Sequence, residues 1–159
     1  MKLLNKIKET PFVMEEQQFT PGNGCSVVGS SGNLLDNEYG IAIDTNDDVI
    51  RFNGAKTTSF EKHCGARTTF RLMNCHSILN LENSAYYAQQ KERHPQLDRE
   101  LLYKIEDEII IFKTDPTWEL WRKTHILDKV RQKNEVYFVH KDFYRLGNKL
   151  NGGKEATNG

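Results

Sequence analysis

Three short clusters in this sequence hold residue types that meet a phosphorylated ligand through amides, hydroxyls and bare backbone. Gly29, Ser30, Ser31, Gly32 and Asn33 follow the run "CSVV", Asn53 and Gly54 follow "DVIRF", and Asn74 follows "TTFRLM". Glycines let a phosphate approach backbone N–H groups, and an asparagine amide both donates to and accepts from a base or a ribose. The same residues also build ordinary turns, through positive φ and local hydrogen bonds. One such loop favours the turn. Three of them, each directly after a strand-like run, can project onto one edge of a sheet, and the two readings then stand level. The first loop is neither G-x-G-x-x-G nor a phosphate loop closing on Gly-Lys-Ser/Thr.

Other side chains that could do chemistry are less well placed. His63, His76, His94, His125 and His140 could accept a proton near neutral pH by residue type alone. His94 and His125 sit in helical patterns among charges, His140 follows a strand-like run, and no catalytic base is assigned. The acidic clusters Asp44/Asp47/Asp48 and Glu106/Asp107/Glu108 come before strand-like runs, at the opposite end from the polar loops. They read as solvated strand starts and not as a hard-metal site. The pairs His63-Cys64 and Cys75-His76 suggest zinc, but neighbours on an extended strand face opposite ways and the spacing matches no usual finger or ribbon. The aromatic stretches "YYAQQ" and "WELW" read as helix core and surface.

These residues must be positioned by elements the pattern makes visible. "CSVV", "DVIRF", "TTFRLM", "EIIIFK" and "VYFV" read as strands. Helices are expected over about 85–106, split by Pro95, and over about 117–133, where Asp115 can cap and Pro116 suits the first turn. Strands alternating with helices predict an α/β fold, a mostly parallel sheet flanked by helices. In such sheets ligands bind beyond the carboxyl ends of the strands, near a switch in strand order.

At 159 residues, with 22 basic and 22 acidic side chains, the chain has room for one domain and no net field to recruit nucleic acid or an anionic membrane. Residues 1–24 read as a lead-in and 25–159 as the domain, ending in the Gly- and Asn-rich "NGGKEATNG". No signal-peptide or membrane-spanning run is visible. The three cysteines, Cys25, Cys64 and Cys75, cannot all pair among themselves, so at least one is free or has its partner elsewhere.

The stretch "CSVVGSSGNL…YGIAIDTNDDVIRFNGAKTTSFEKHCGARTTFRLMN" resembles the large sialylmotif of the sialyltransferases, glycosyltransferase family 29. The family pattern is C-(A/S)-V-V-G-(N/S)-(S/A/G)-G, then Y-G or L-G, I-D-x-(H/N)-D, R-x-N-x-A-P-T and V-G-x-(K/R)-T-T. The likeness runs over residues 25–77. A second stretch, "EVYFVHKDFYRLGNKLNGGKEATNG", is similar to the segment leading into the small sialylmotif, with Ala156, Thr157, Asn158 and Gly159 where the family has Pro-Ser-(Thr/Ser)-Gly.

The resemblance implies a GT-A-like, Rossmann-like sialyltransferase fold. It implies an inverting transfer of sialic acid from CMP-sialic acid to a glycan hydroxyl, with no metal, no cofactor and no nucleic-acid partner. Donor contacts carry over to Gly29, Ser30, Ser31, Gly32, Asn33, Asn53 and Asn74, and in the small motif to Thr157, Asn158 and Gly159. Ser30 stands where many members have asparagine, Asn158 where they have a hydroxyl residue, Lys56 at the Pro of A-P-T and Cys64 at the Val of V-G. In the family the cysteine matching Cys25 pairs with one in the small motif, a partner expected beyond Gly159. The family's catalytic histidines follow the small motif too, so the sequence is expected to be a C-terminally truncated part that is inactive alone. The other readings are a non-catalytic CMP-, nucleotide- or glycan-binding module, and a transferase using CMP-Kdo. Golgi residence is implied for a eukaryotic member, and a soluble cytoplasmic protein otherwise.

Overall fold

Short runs of β-branched and aromatic residues become strands when a neighbour supplies the hydrogen bonds they cannot make alone. A computed structural model of the chain describes residues 24–95, 97–113 and 125–139. Its strands are β1 (Cys25–Val28), β2 (Asp48–Phe52), β3 (Phe70–Met73), β4 (Ile109–Phe112) and β5 (Glu135–Phe138). All five fall on the runs the sequence marks. They form a mostly parallel five-stranded sheet in the order β1-β2-β3-β4-β5. The α/β class is as expected, but the order runs without reversal, so the strand-order switch that the sequence argument invoked is absent among the described strands. The chain divides into two units, one reaching Leu72 and one starting at Met73.

In the first unit β1 pairs with β2 (Val28 beside Arg51) and β2 with β3 (Phe52 beside Leu72), both in parallel. Register partners share a face of the sheet and successive residues alternate. Ser26, Val28, Val49, Arg51 and Arg71 therefore line one face, and Cys25, Val27, Ile50, Phe52 and Phe70 the other. With strands in consecutive order, crossovers of one hand bring both connections to the same face. The first connection holds a 3-10 turn, Gly32–Asp36, and helix α1 (Gly40–Asp44); the second holds α2 (Glu61–Cys64). Ser26 Oγ donates to the Ile43 carbonyl at 3.2 Å, and Val28, Val49 and Cys64 form a buried cluster against Leu34 and Ile43. On the opposite face Val27 remains 64% exposed.

Arg51 is 1% exposed and ties the second connection to the sheet. Its Nη2 donates to the carbonyls of Cys64 (2.8 Å) and Gly65 (3.2 Å), and its Nε to the Arg67 carbonyl (3.0 Å) and Thr68 Oγ1 (3.1 Å). Asp44 and Arg67 close the other side of the same unit. The Asp44 carboxylate accepts from the backbone N–H groups of Ala66 (2.8 Å) and Arg67 (3.1 Å), while the Arg67 guanidinium donates to the carbonyls of Asp44, Asn46 and Asp47. Asp44 is thus a helix-end bracket, not part of a solvated strand start. Gly65 sits at φ 73°, and a Cβ at Gly40 would lie 2.0 Å from the Glu61 carbonyl oxygen, so α1 and α2 meet backbone to backbone.

In the second unit β4 and β5 pair in parallel, Phe112 beside Phe138, with their rings stacked at 5.3 Å. Helix α3 (His76–Glu82) starts two residues after Asn74, ahead of the helix expected from about residue 85. Helix α4 (Ser84–Arg93) is capped by Asn83, whose Oδ1 accepts from the Tyr86 N–H at 2.9 Å. The expected break at Pro95 is present: the next helix, α5, is Leu101–Lys104. Arg99 spans that break from the other side, donating to the carbonyls of Asn80 and Leu81 and to Ser84 Oγ. Helix α6 (His125–Arg131), inside the expected 117–133 span, buries Ile126, Leu127 and Val130; Asp115, Pro116, Trp118 and Trp121 lie outside the described residues. Buried Asn134 donates to the Ile105 carbonyl (2.8 Å) and accepts from the Glu108 N–H (3.0 Å), fixing the start of β4. Among the described residues no helix is long and apolar enough to cross a membrane.

Two substitutions probe this frame. Arg51→Met strands buried carbonyls and is expected to lower the unfolding free energy by about 3 kcal/mol or more, with Arg51→Lys recovering only part. Gly40→Ala forces α1 away from α2 and is expected to cost about 1–3 kcal/mol. Urea denaturation of each variant measures both.

Candidate functional site

Parallel pairing decides what the first polar loop sits beside. Val28 ends β1 level with Arg51, so Gly29 leaves the sheet beside Phe52, and Asn53 leaves from the same edge one residue later. The loop 29–33 is exposed throughout. Within it Ser31 does what a turn residue does: its Oγ accepts from the Asn33 N–H at 3.3 Å and its carbonyl from the Leu34 N–H at 3.2 Å. The glycines are different. Neither Gly29 nor Gly32 lies in the left-handed region, and a Cβ built on either meets nothing within 4 Å. Neither backbone strain nor close packing against the described residues requires glycine there.

Asn53 is half-buried and its backbone is in the left-handed region, φ 47°, which asparagine tolerates better than most residues. The Ala55 N–H donates to the Phe52 carbonyl at 3.1 Å and closes the turn. The Asn53 N–H donates to the Leu72 carbonyl at 2.8 Å, and the Asn53 carbonyl accepts from Arg71 Nη1 at 2.9 Å. Arg51 and Arg71 were not singled out from the sequence. The available signal was an arginine among the apolar residues of each of two strands, a charge that burial can hold only with several oxygen partners.

In the second unit Asn74 is half-buried just before α3: its Oδ1 accepts from the His76 N–H (3.1 Å) and its carbonyl from Ser77 Oγ (3.0 Å). His76 is exposed, stacks on Tyr86 with ring centroids 5.7 Å apart, and its Nδ1 meets the Tyr86 hydroxyl. Burial pushes that phenol's pKa up, with Arg93 pulling it the other way. Thr157, Asn158, Gly159 and His140 lie outside the described residues.

Three of the remaining candidates, His63, Cys64 and Cys75, have structural partners. His63 Nδ1 lies 2.8 Å from the Asn37 carbonyl, and His94 and His125 are exposed. Cys64 is buried with its thiol 3.8 Å from the Lys56 carbonyl, buried Cys75 donates to the Lys113 carbonyl, and Cys25 is exposed on β1. His63-Cys64 and Cys75-His76 lie on helical turns, so the strand-alternation argument against zinc does not apply to them. Among the described residues no group of three or more His, Cys, Asp or Glu side chains could hold a metal ion. A surface hollow of about 420 Å³ over α1 and α2 is lined by Glu38, Ile41, Asp44, Thr45, Glu61 and Lys62 around Gly40, and includes none of the residues to which the resemblance carries donor contacts.

Comparison with known proteins gives this geometry a family. The model of glycosyltransferase family 29 (sialyltransferase) matches residues 1–154, taking in the lead-in and ending before Thr157. The human beta-galactoside alpha-2,6-sialyltransferase 1 is 48% identical over 54 residues, 34% of this chain and 13% of that protein. The mouse CMP-N-acetylneuraminate-beta-galactosamide-alpha-2,3-sialyltransferase 1 is 49% identical over 57 residues, 36% of this chain and 17% of its own. A beta-1,6-galactosyltransferase of Arabidopsis thaliana is 50% identical over 50 residues, 31% of this chain and 13% of its own. The chain therefore matches well under a fifth of the length of these relatives. A crystal structure of a mammalian sialyltransferase in complex with Gal-beta-1-3GalNAc-ortho-nitrophenol superposes with a TM-score of 0.55 at 22% identity, over 84% of this chain and 47% of that one, and shows a shared fold. With the family model matching nearly its whole length, this chain belongs to glycosyltransferase family 29, the sialyltransferase family.

Proposed function

We propose that the chain forms the donor-binding part of a family 29 glycosyltransferase that holds CMP-sialic acid and delivers its sugar to a glycan hydroxyl with inversion, without a metal. One observation carries the reading to the first unit. Gly29 follows β1 at the edge where Asn53 follows β2, Gly32 lies three residues further along the same loop, both are exposed, and nothing described in the chain requires them to be glycine. A backbone kept bare for no internal reason suits the close approach of a phosphate to N–H groups, and the Asn53 amide suits a base or ribose. The reading keeps Ser30, Ser31 and Asn33 as loop contacts. Asn74, Thr157, Asn158 and Gly159 join it on their likeness to the family motifs. Golgi residence, for a eukaryotic protein, belongs to the same proposal.

A second donor has a specific observation behind it. The likeness to the Arabidopsis galactosyltransferase is as high as that to the sialyltransferases, so the matched stretch does not by itself select a CMP-sugar.

Calorimetric titration of CMP, with UDP as the rival nucleotide, tests both readings. CMP is expected to bind and UDP to bind at least tenfold more weakly; the reverse order favours the second donor. Asn53→Ala is expected to weaken CMP about tenfold, some 1.4 kcal/mol. Gly32→Ala is expected to weaken CMP by a similar factor while changing stability by less than about 0.5 kcal/mol, because its Cβ points into open space. Undiminished CMP affinity in both variants sinks the donor site.

A further inference from the structure

We infer that Arg71 is a positioning residue for the proposed donor site, holding Asn53 in the conformation that presents its amide; the inference rests on the donor reading of Asn53 above. Arg71 is 5% exposed in the middle of β3. Its Nη1 donates to two carbonyls of one turn, Asn53 at 2.9 Å and Ala55 at 3.4 Å, and its Nη2 reaches Thr68 Oγ1 at 3.5 Å. The next residue on the strand, Leu72, accepts the Asn53 N–H at 2.8 Å. Both backbone polar groups of Asn53 are therefore held by successive residues of β3.

That double hold has work to do. Even asparagine, which tolerates φ 47° better than most residues, keeps to the left-handed region only where its surroundings favour it. Released from Arg71, Asn53 would relax toward extended backbone and swing its amide away from the strand edge. An arginine is suited to the task because one arm of its planar fork, Nη1, holds the turn while the other, Nη2, reaches Thr68 Oγ1, whereas a lysine ammonium offers a single nitrogen. Thr68 braces the fork: its hydroxyl also accepts from Arg51 Nε at 3.1 Å, so the clamp is tied to the group that docks the second connection. Arg71 is not placed on the donor itself.

The test combines backbone hydrogen exchange with CMP titration on the full chain, in Arg71→Lys, Arg71→Met, Asn53→Ala and the double variant Asn53→Ala/Arg71→Met. Exchange at the Asn53 amide, normalised to Val49 in the core of β2, is expected to speed up in Arg71→Met and less in Arg71→Lys. CMP affinity is expected to fall by up to about tenfold in Arg71→Met, no more than removal of the Asn53 amide itself costs. In the Asn53→Ala background the same change should cost little further, because one contact cannot be lost twice. Loss of stability alone would be equal in both backgrounds and would leave the normalised exchange unmoved. Unchanged Asn53 exchange in both arginine variants overturns the inference, as does an equal loss of affinity with and without Asn53. If Arg71→Met does not fold, Arg71→Lys decides the matter by the same readouts. Should Asn53→Ala bind CMP as the parent does, the donor role of Asn53 falls, and the exchange at Asn53 still settles whether Arg71 holds the turn.

Discussion

The first unit depends on a buried guanidinium whose Nε and Nη2 each meet two oxygen atoms. Arg51 stands on the sheet face where both connections pack, and the oxygens it collects belong to the chain segment returning from α2 to β3. Hydrogen bonds to a charged donor are worth about 1.5–3 kcal/mol each, while an unpaired buried charge is prohibitively costly. The return path is therefore placed by the arginine as much as by apolar contact. Its register neighbour Arg71 does the same for the turn after β2. Two like charges side by side are tolerable because each is wrapped in carbonyl and hydroxyl dipoles.

The residues that carry the family resemblance separate into two kinds on this frame. Gly40, Asp44, Arg51, Gly65, Thr68 and Arg71 serve the fold, through a backbone contact, a bracket on two N–H groups, two clamps, a left-handed turn and a shared hydroxyl. Gly29 and Gly32 have no such employment among the described residues, and Asn53 is held at a backbone angle that the rest of the turn must enforce. Ser31 belongs with the first kind, since its hydroxyl is engaged in capping its own turn. A motif that looks uniform in sequence is thus mostly scaffold with a small exposed remainder, and the remainder lies on one strand edge.

The strands were legible because each is a short β-branched or aromatic run bounded by small polar residues, a signal that needs only local chemistry. The split at Pro95 was legible for the same reason, since the ring breaks a helix wherever it falls. Helices α1 and α2 were not, being single turns in which a helical period cannot repeat. The acidic residue Asp44 was misread as solvated because its partners, the N–H groups of Ala66 and Arg67, are more than 20 residues away and follow only once the chain returns.

What the sequence determined by itself was therefore the set of strands, the α/β class, the polar residues that follow each strand and the likeness to family 29, all of them local or linear properties. Tertiary structure alone decided that the strand order runs without reversal, that two mid-strand arginines are buried and wrapped in carbonyls, and that Asn53 is held left-handed beside Gly29. Those facts come from which segment returns beside which. Hydrogen bonds between residues far apart in the chain exist only after the strands have paired, so no spacing along the sequence could announce them.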